Sequence, residues 1–104
     1  MFHPATKVTI IAERLLQDKL VAKLEDAGAK GYTIVDGGGK GEHFTRASDS
    51  ASVVNAFSII RIEAILASDE TARAIATEIE TGFFKQYSGV VYLSQVEVLR
   101  PERF

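Results

Sequence analysis

The 104-residue sequence holds no cysteine. Disulfides, thiolate metal sites and cysteine nucleophiles are therefore excluded, and redox chemistry says nothing of the compartment. No apolar run approaches the ~20 residues that a membrane-spanning helix needs. The first residues, Met1, Phe2, His3 and Pro4, lack a basic region followed by an apolar stretch, so no signal peptide is expected. A cytoplasmic protein is the default expectation, with membrane association only through a partner. An excess of positive charge is also missing. The formal net charge is −2, so no bulk basic field gathers nucleic acid or an anionic membrane. What is present is ordinary: 46% apolar and 25% charged residues suit one soluble domain with one modest core.

The order of patterned segments points to the fold. Residues 7–12 (KVTIIA) are short and β-branched and read as a strand. Residues 13–28 read as a helix, with Leu16, Leu20, Leu24 and Ala27 at helical spacing and Gly28 as its C-terminal cap. Residues 31–36 form a second strand and 57–66 a long third one. Ser68 or Asp69 caps a second helix whose stripe is Ala72, Ile75, Ala76, Ile79 and Phe83. Residues 89–99 form the fourth strand, and Pro101 ends regular pairing. Strand, helix, strand, loop, strand, helix, strand is the split βαβ, or ferredoxin-like, pattern (α+β, βαββαβ), with both helices on one face of a four-stranded antiparallel sheet. The whole of 1–104 is one such domain.

In the third strand Ile60, Ile62, Ala64 and Leu66 make one face apolar, as helix packing requires. The opposite face reads Phe57, Ile59, Arg61, Glu63 and Ile65, mixing large apolar groups with two charges. A solvated face is ordinarily polar throughout, so this one predicts self-association.

The loop over about 37–56 is too long for a simple connection, since structureless loops beyond ~12–15 residues are usually functional or disordered. Its first half is glycine and base: Gly37, Gly38, Gly39, Lys40, Gly41, then Glu42, His43, Phe44, Thr45 and Arg46. Glycines let backbone N–H groups approach an anion, Lys40 adds a point charge, and Arg46 adds a planar fork for two phosphate oxygens. This reads as a phosphate cradle, although a glycine-rich linker has the same composition. It is neither a Walker A loop nor a dinucleotide fingerprint, because Lys40 is followed by Gly41 and no helix follows directly. A lone loop histidine such as His43 is ordinarily just exposed. Asp36 and Glu63 fit a place near the cradle, or simple ion pairs. Arg14, Lys19, Lys23 and Lys30 read as a solvated helix face. An RNA-recognition sheet needs aromatics at set places on two central strands and a basic surface, whereas here those strands are dominated by Ile and Val and the net charge is negative.

The run Gly28, Ala29, Lys30, Gly31, Tyr32, Thr33, followed by Gly38, Gly39, Lys40, Gly41 and Arg46, resembles the PII-like signalling family, and within it the cyanobacterial SbtB branch. Residues 7–11 (KVTII) and 84–92 (FKQYSGVVY) fit the same pattern, so the resemblance spans nearly the whole chain. It implies a homotrimer whose three sheets pack together, with AMP, cyclic AMP, ADP or ATP bound in clefts between subunits. The loop over 37–56 would be the T-loop, which reports nucleotide state to a sodium-dependent bicarbonate transporter of the SbtA type and so controls inorganic carbon uptake. The protein would be a regulator and not an enzyme, placed at the inner membrane only when docked on the transporter. Carried over by position, Gly39, Lys40, Gly41 and Arg46 would face the phosphates. Ser88, Gly89 and Val90 would contact the nucleotide from the other side, and Thr33 and Asp36 would lie nearby. Glu42, His43, Phe44 and Thr45 would meet the partner.

Three departures stand against the family pattern. The glycine- and lysine-rich motif that ordinary PII proteins carry before the last strand is replaced by Tyr87, Ser88, Gly89 and Val90, which argues against sensing of 2-oxoglutarate with Mg-ATP. Some relatives end in a cysteine-bearing tail; this sequence holds no cysteine, so redox control through such a tail is not expected. Where some relatives have a second basic residue stands His43, whose charge near neutral pH is partial. Ordering about twenty loop residues costs on the order of 20–40 kcal/mol, whereas a micromolar ligand supplies only about 8 kcal/mol. Nucleotide is therefore expected to fix the loop base and leave the Ser-rich arm to the partner. Two other readings stay open on this fold: a phosphohydrolase acting on ATP or ADP, and a small-molecule or metal sensor of the ACT or CutA kind. A divalent metal accompanying ATP is likewise left open.

Overall fold

The computed structural model describes residues 1–37 and 59–104. Along the chain run β1 (His3–Glu13), a 3-10 turn (Arg14–Leu16), α1 (Gln17–Asp26), β2 (Tyr32–Gly37), β3 (Ile59–Leu66), α2 (Asp69–Gly82), β4 (Gly89–Val98) and a closing 3-10 turn (Pro101–Arg103). The four strands form one sheet in the order β2-β3-β1-β4, with every neighbouring pair antiparallel. This is the expected ferredoxin-like arrangement.

Strand parity decides which side chains enter the core. Val8, Ile10 and Ala12 of β1 stand opposite Ala64, Ile62 and Ile60 of β3. On the other side Val8 and Ile10 stand opposite Leu93 and Val91 of β4. This face packs against Leu16, Leu20 and Leu24 before and within α1, and against Ala72, Ile75 and Ile79 of α2. Each large aliphatic side chain buried here contributes roughly 1.5–3 kcal/mol of transfer free energy. The helices also touch each other through the Lys23–Glu78 ion pair, whose hydrogen bond holds the Lys23 pKa above its ordinary value.

β1 is longer than the apolar pattern of 7–12 suggests, because β4 pairs with it down to His3–Val98. Pro4 is tolerated in this extension: the β3 ladder stops at Thr6–Leu66, so Pro4 has a strand on one side only. The first helix starts later than expected. Glu13 still belongs to β1, pairing with Ile59, and the chain passes through a tight turn before the α-helix begins. That helix ends as anticipated at Gly28, which has φ +93°, a conformation that side chains with a Cβ resist. The Ala29 N–H bonds the Leu24 carbonyl and the Gly28 N–H bonds the Glu25 carbonyl, a Schellman closure. At α2 the cap is Ser68, whose Oγ accepts the Thr71 N–H at 3.1 Å.

The second sheet face carries Ile11, Ile59, Ile65, Val35, Val90 and Val96 around a polar centre. There Glu63 lies 3.9 Å from Lys7 and 3.5 Å from Arg61. Thr9, between Glu63 and Tyr92, is buried, and its hydroxyl has no hydrogen-bond partner among the described residues. No described helix covers this face.

Candidate functional site at one end of the sheet

The antiparallel ladders bring four strand ends to one edge. Gly37, the last residue of β2, stands opposite Ile59, the first of β3. Ile59 also stands opposite Glu13, the last of β1. Ala12 pairs with Gly89, the first of β4. The chain therefore leaves at Gly37 and returns at Ile59 on the same end of the sheet as the turn that opens β4.

That turn is held from two sides. The Phe84 ring occupies the space beside Gly89, where a Cβ would stand 2.2 Å from Cε1 of the ring. Gly89 thus has a packing reason independent of any ligand. The Ser88 N–H donates to Oε2 of Glu13 at 3.1 Å, and Glu13 is only 5% exposed. A buried carboxylate needs such donors, because desolvation without them is costly. Val90 stands next to Ile11 on the second sheet face.

Asp36 lies at the same end, but its carboxylate faces Arg14, with Oδ1 2.8 Å from Nη2. Arg14, which the sequence places on a solvated helix face, instead ties the start of the first helix to the end of β2. Glu63 pairs with Lys7 and Arg61 away from this end. Thr33 stands opposite Glu63 on the second face, on the edge strand opposite the one that carries Val90. Three strand spacings, about 14 Å, separate those two strands. One chain thus brings Ser88, Gly89 and Val90 together at the start of one edge strand, with Asp36 at the same end of the sheet but on the opposite edge strand, and Thr33 further along that strand. Gly39, Lys40, Gly41 and Arg46, and the partner-facing Glu42, His43, Phe44 and Thr45, lie outside the described residues. Glu13 escapes sequence reasoning because it follows the apolar run and looks like the first helical residue. Its strand parity with Ile11 is the signal that places it in the sheet. Among the described residues no group of three acidic or histidine side chains is arranged to hold a metal.

Residues 5–103 match the sequence model of the family described as Nitrogen regulatory protein P-II. The chain belongs to the P-II family. A PII-like signalling protein from Thermus thermophilus is 33% identical over 99% of this chain and 97% of its own, with a TM-score of 0.79. CPII from Thiomonas intermedia, solved with ADP, AMP and acetate, is 31% identical over 100% of this chain and 97% of its own, with a TM-score of 0.82. CPII solved with ADP and bicarbonate gives 30% identity, the same coverage and a TM-score of 0.80. The family-level resemblance is thereby established, and with it a regulatory signalling role as the general character of the P-II family. Among the described residues no helix is long and apolar enough to cross a membrane.

Proposed function

We propose that this P-II family protein is an adenine-nucleotide sensor of the SbtB type, and that it regulates a sodium-dependent bicarbonate transporter of the SbtA type through the segment that follows β2. The observation that carries the reading is the shared sheet end. Gly37 and Ile59, where the glycine- and base-rich segment departs and returns, lie at the same end of the sheet as the Ser88–Gly89 turn, in a chain about 30% identical to CPII, which binds ADP, AMP and bicarbonate.

In this reading Gly39, Lys40, Gly41 and Arg46 meet the phosphates, and Ser88, Gly89 and Val90 line the opposite wall. Thr33 and Asp36 join from a neighbouring subunit, since their own edge strand is about 14 Å from the strand of Val90. The apolar second face supports the homotrimer, because a face with Ile11, Val35, Ile65 and Val96 that no described helix covers favours burial against copies of itself. AMP, cyclic AMP, ADP and ATP are the candidate effectors, with bicarbonate as a co-ligand on the precedent of CPII. Glu42, His43, Phe44 and Thr45 meet the transporter, and the protein works in the cytoplasm, reaching the membrane only through it. Nucleotide identity biases which partner-competent state is populated, by as much as its differential affinity for the two states allows.

The test is calorimetric titration with AMP, cyclic AMP, ADP and ATP, each with and without magnesium and bicarbonate. Saturable binding at one site per chain supports the reading. Absence of binding by every adenine nucleotide overturns it, and steady phosphate release from ATP would favour an enzyme.

A further inference from the structure

Glu13 and Arg14 leave β1 as consecutive residues and reach in opposite directions across the sheet. The Glu13 carboxylate goes to the β4 side, accepting the Ser88 N–H at 3.1 Å. The Arg14 guanidinium crosses the β3 side to Asp36 on β2, at 2.8 Å. The β1–β4 ladder stops at Ala12–Gly89, so the Ser88 amide lies one step past the last backbone pair. The carboxylate supplies the acceptor there that the backbone of β1 no longer supplies. Burial of Glu13 removes competing water, which strengthens the hydrogen bond that its side-chain oxygen accepts. The other side of the turn is already closed by Phe84 on Gly89.

We propose that Glu13 is a positioning residue for nucleotide binding: it fixes the Ser88–Gly89–Val90 wall in its binding geometry, while Arg14 fixes the end of β2 through Asp36. The inference rests on the nucleotide reading above. Glu13 acts through Ser88 and need not touch the ligand. A wall held in advance binds more tightly, because ordering it is not charged against the ligand.

The experiment titrates ADP into the wild type, E13Q, E13A and E13D, and follows amide exchange at residues 86–90 in the nucleotide-free proteins. E13Q keeps an acceptor oxygen and should bind within about twofold of the wild type. E13A should bind about tenfold more weakly, the scale of one lost hydrogen bond, with faster exchange at Ser88. If E13A does not fold, E13D decides, because its carboxylate is one methylene short of Ser88 and should weaken ADP binding in the same way. Unchanged ADP affinity in E13A, or in E13D where E13A does not fold, overturns the inference and leaves the nucleotide reading intact. So does E13Q binding as weakly as E13A, which would make charge and not the held amide the cause. A wild type that takes up no ADP removes the nucleotide reading and this inference together.

Discussion

The Phe84 ring fills the space that a side chain at residue 89 would need, its Cε1 2.2 Å from the position of a Cβ built on Gly89. Gly89→Ala should therefore force the ring off its site. Overpacking of this kind costs about 1–3 kcal/mol. In a domain of this size each kcal/mol lowers the melting temperature by roughly 4–8 °C. Thermal unfolding at fixed protein concentration measures it, and Phe84→Leu in the same chain should recover part of the loss. A Gly89→Ala protein that melts with the wild type would show that the ring is free to move.

Asp69 accepts hydrogen bonds from Arg73 Nε at 2.7 Å, Gln95 Nε2 at 2.8 Å and Thr6 Oγ1 at 2.9 Å. These hold its pKa down to about 2, the Arg73 bond contributing most. A carboxylate depressed on folding stabilises the native state above its unfolded pKa, and that contribution is lost as pH falls through the folded value. Asp69→Asn should therefore be less stable than the wild type above about pH 4, and the gap should close toward pH 2. Urea midpoints at pH 5, 4, 3 and 2 read it directly. Asp69 is exposed, so the gap should be small. A gap that does not change with pH would assign the role to shape and not to charge.

Ile11 lies on the sheet face that no described helix covers, beside Arg61 and Val90. Ile11→Lys would place a second cation next to Arg61, which shares Glu63 with Lys7. In the proposed homotrimer that charge is buried without a partner, at a cost of roughly 3–5 kcal/mol. Sedimentation equilibrium should show the wild type as trimer and the variant shifted toward monomer, with far-UV dichroism unchanged. A variant that stays trimeric would mean that this face is not the interface.

Arg46 carries the phosphate reading in the segment that follows β2. Arg46→Ala should weaken ADP binding by about 1.5–3 kcal/mol, the worth of a charge-assisted contact. Titration calorimetry beside Lys40→Ala gives the comparison. Unchanged affinity in Arg46→Ala would remove that residue from the site.

Much of this was legible in the sequence because the information is local. The alternation Ile60, Ile62, Ala64, Leu66 has the period of a strand, and all four are buried on the helix-covered face. The stripe Ala72, Ile75, Ile79 has the period of a helix and meets them in one core. Ser68 and Gly28 mark helix ends because one offers a cap oxygen and the other tolerates positive φ. The candidate site was legible only in its residue types. That Lys40 and Arg46 suit phosphate is chemistry of side chains, whereas their place lies outside the described residues.

The order of elements, the covered face of each strand and the helix caps were thus determined by the sequence itself, since each depends on residues a few positions apart. Only the tertiary structure decided that β4 pairs with β1 down to His3, that Glu13 ends a strand instead of starting a helix, and that its carboxylate meets Ser88, 75 residues away. Such pairings depend on which strands become neighbours. That choice is made by burial of the assembled face and by backbone hydrogen bonds satisfied across the sheet, and no periodicity along the chain encodes it.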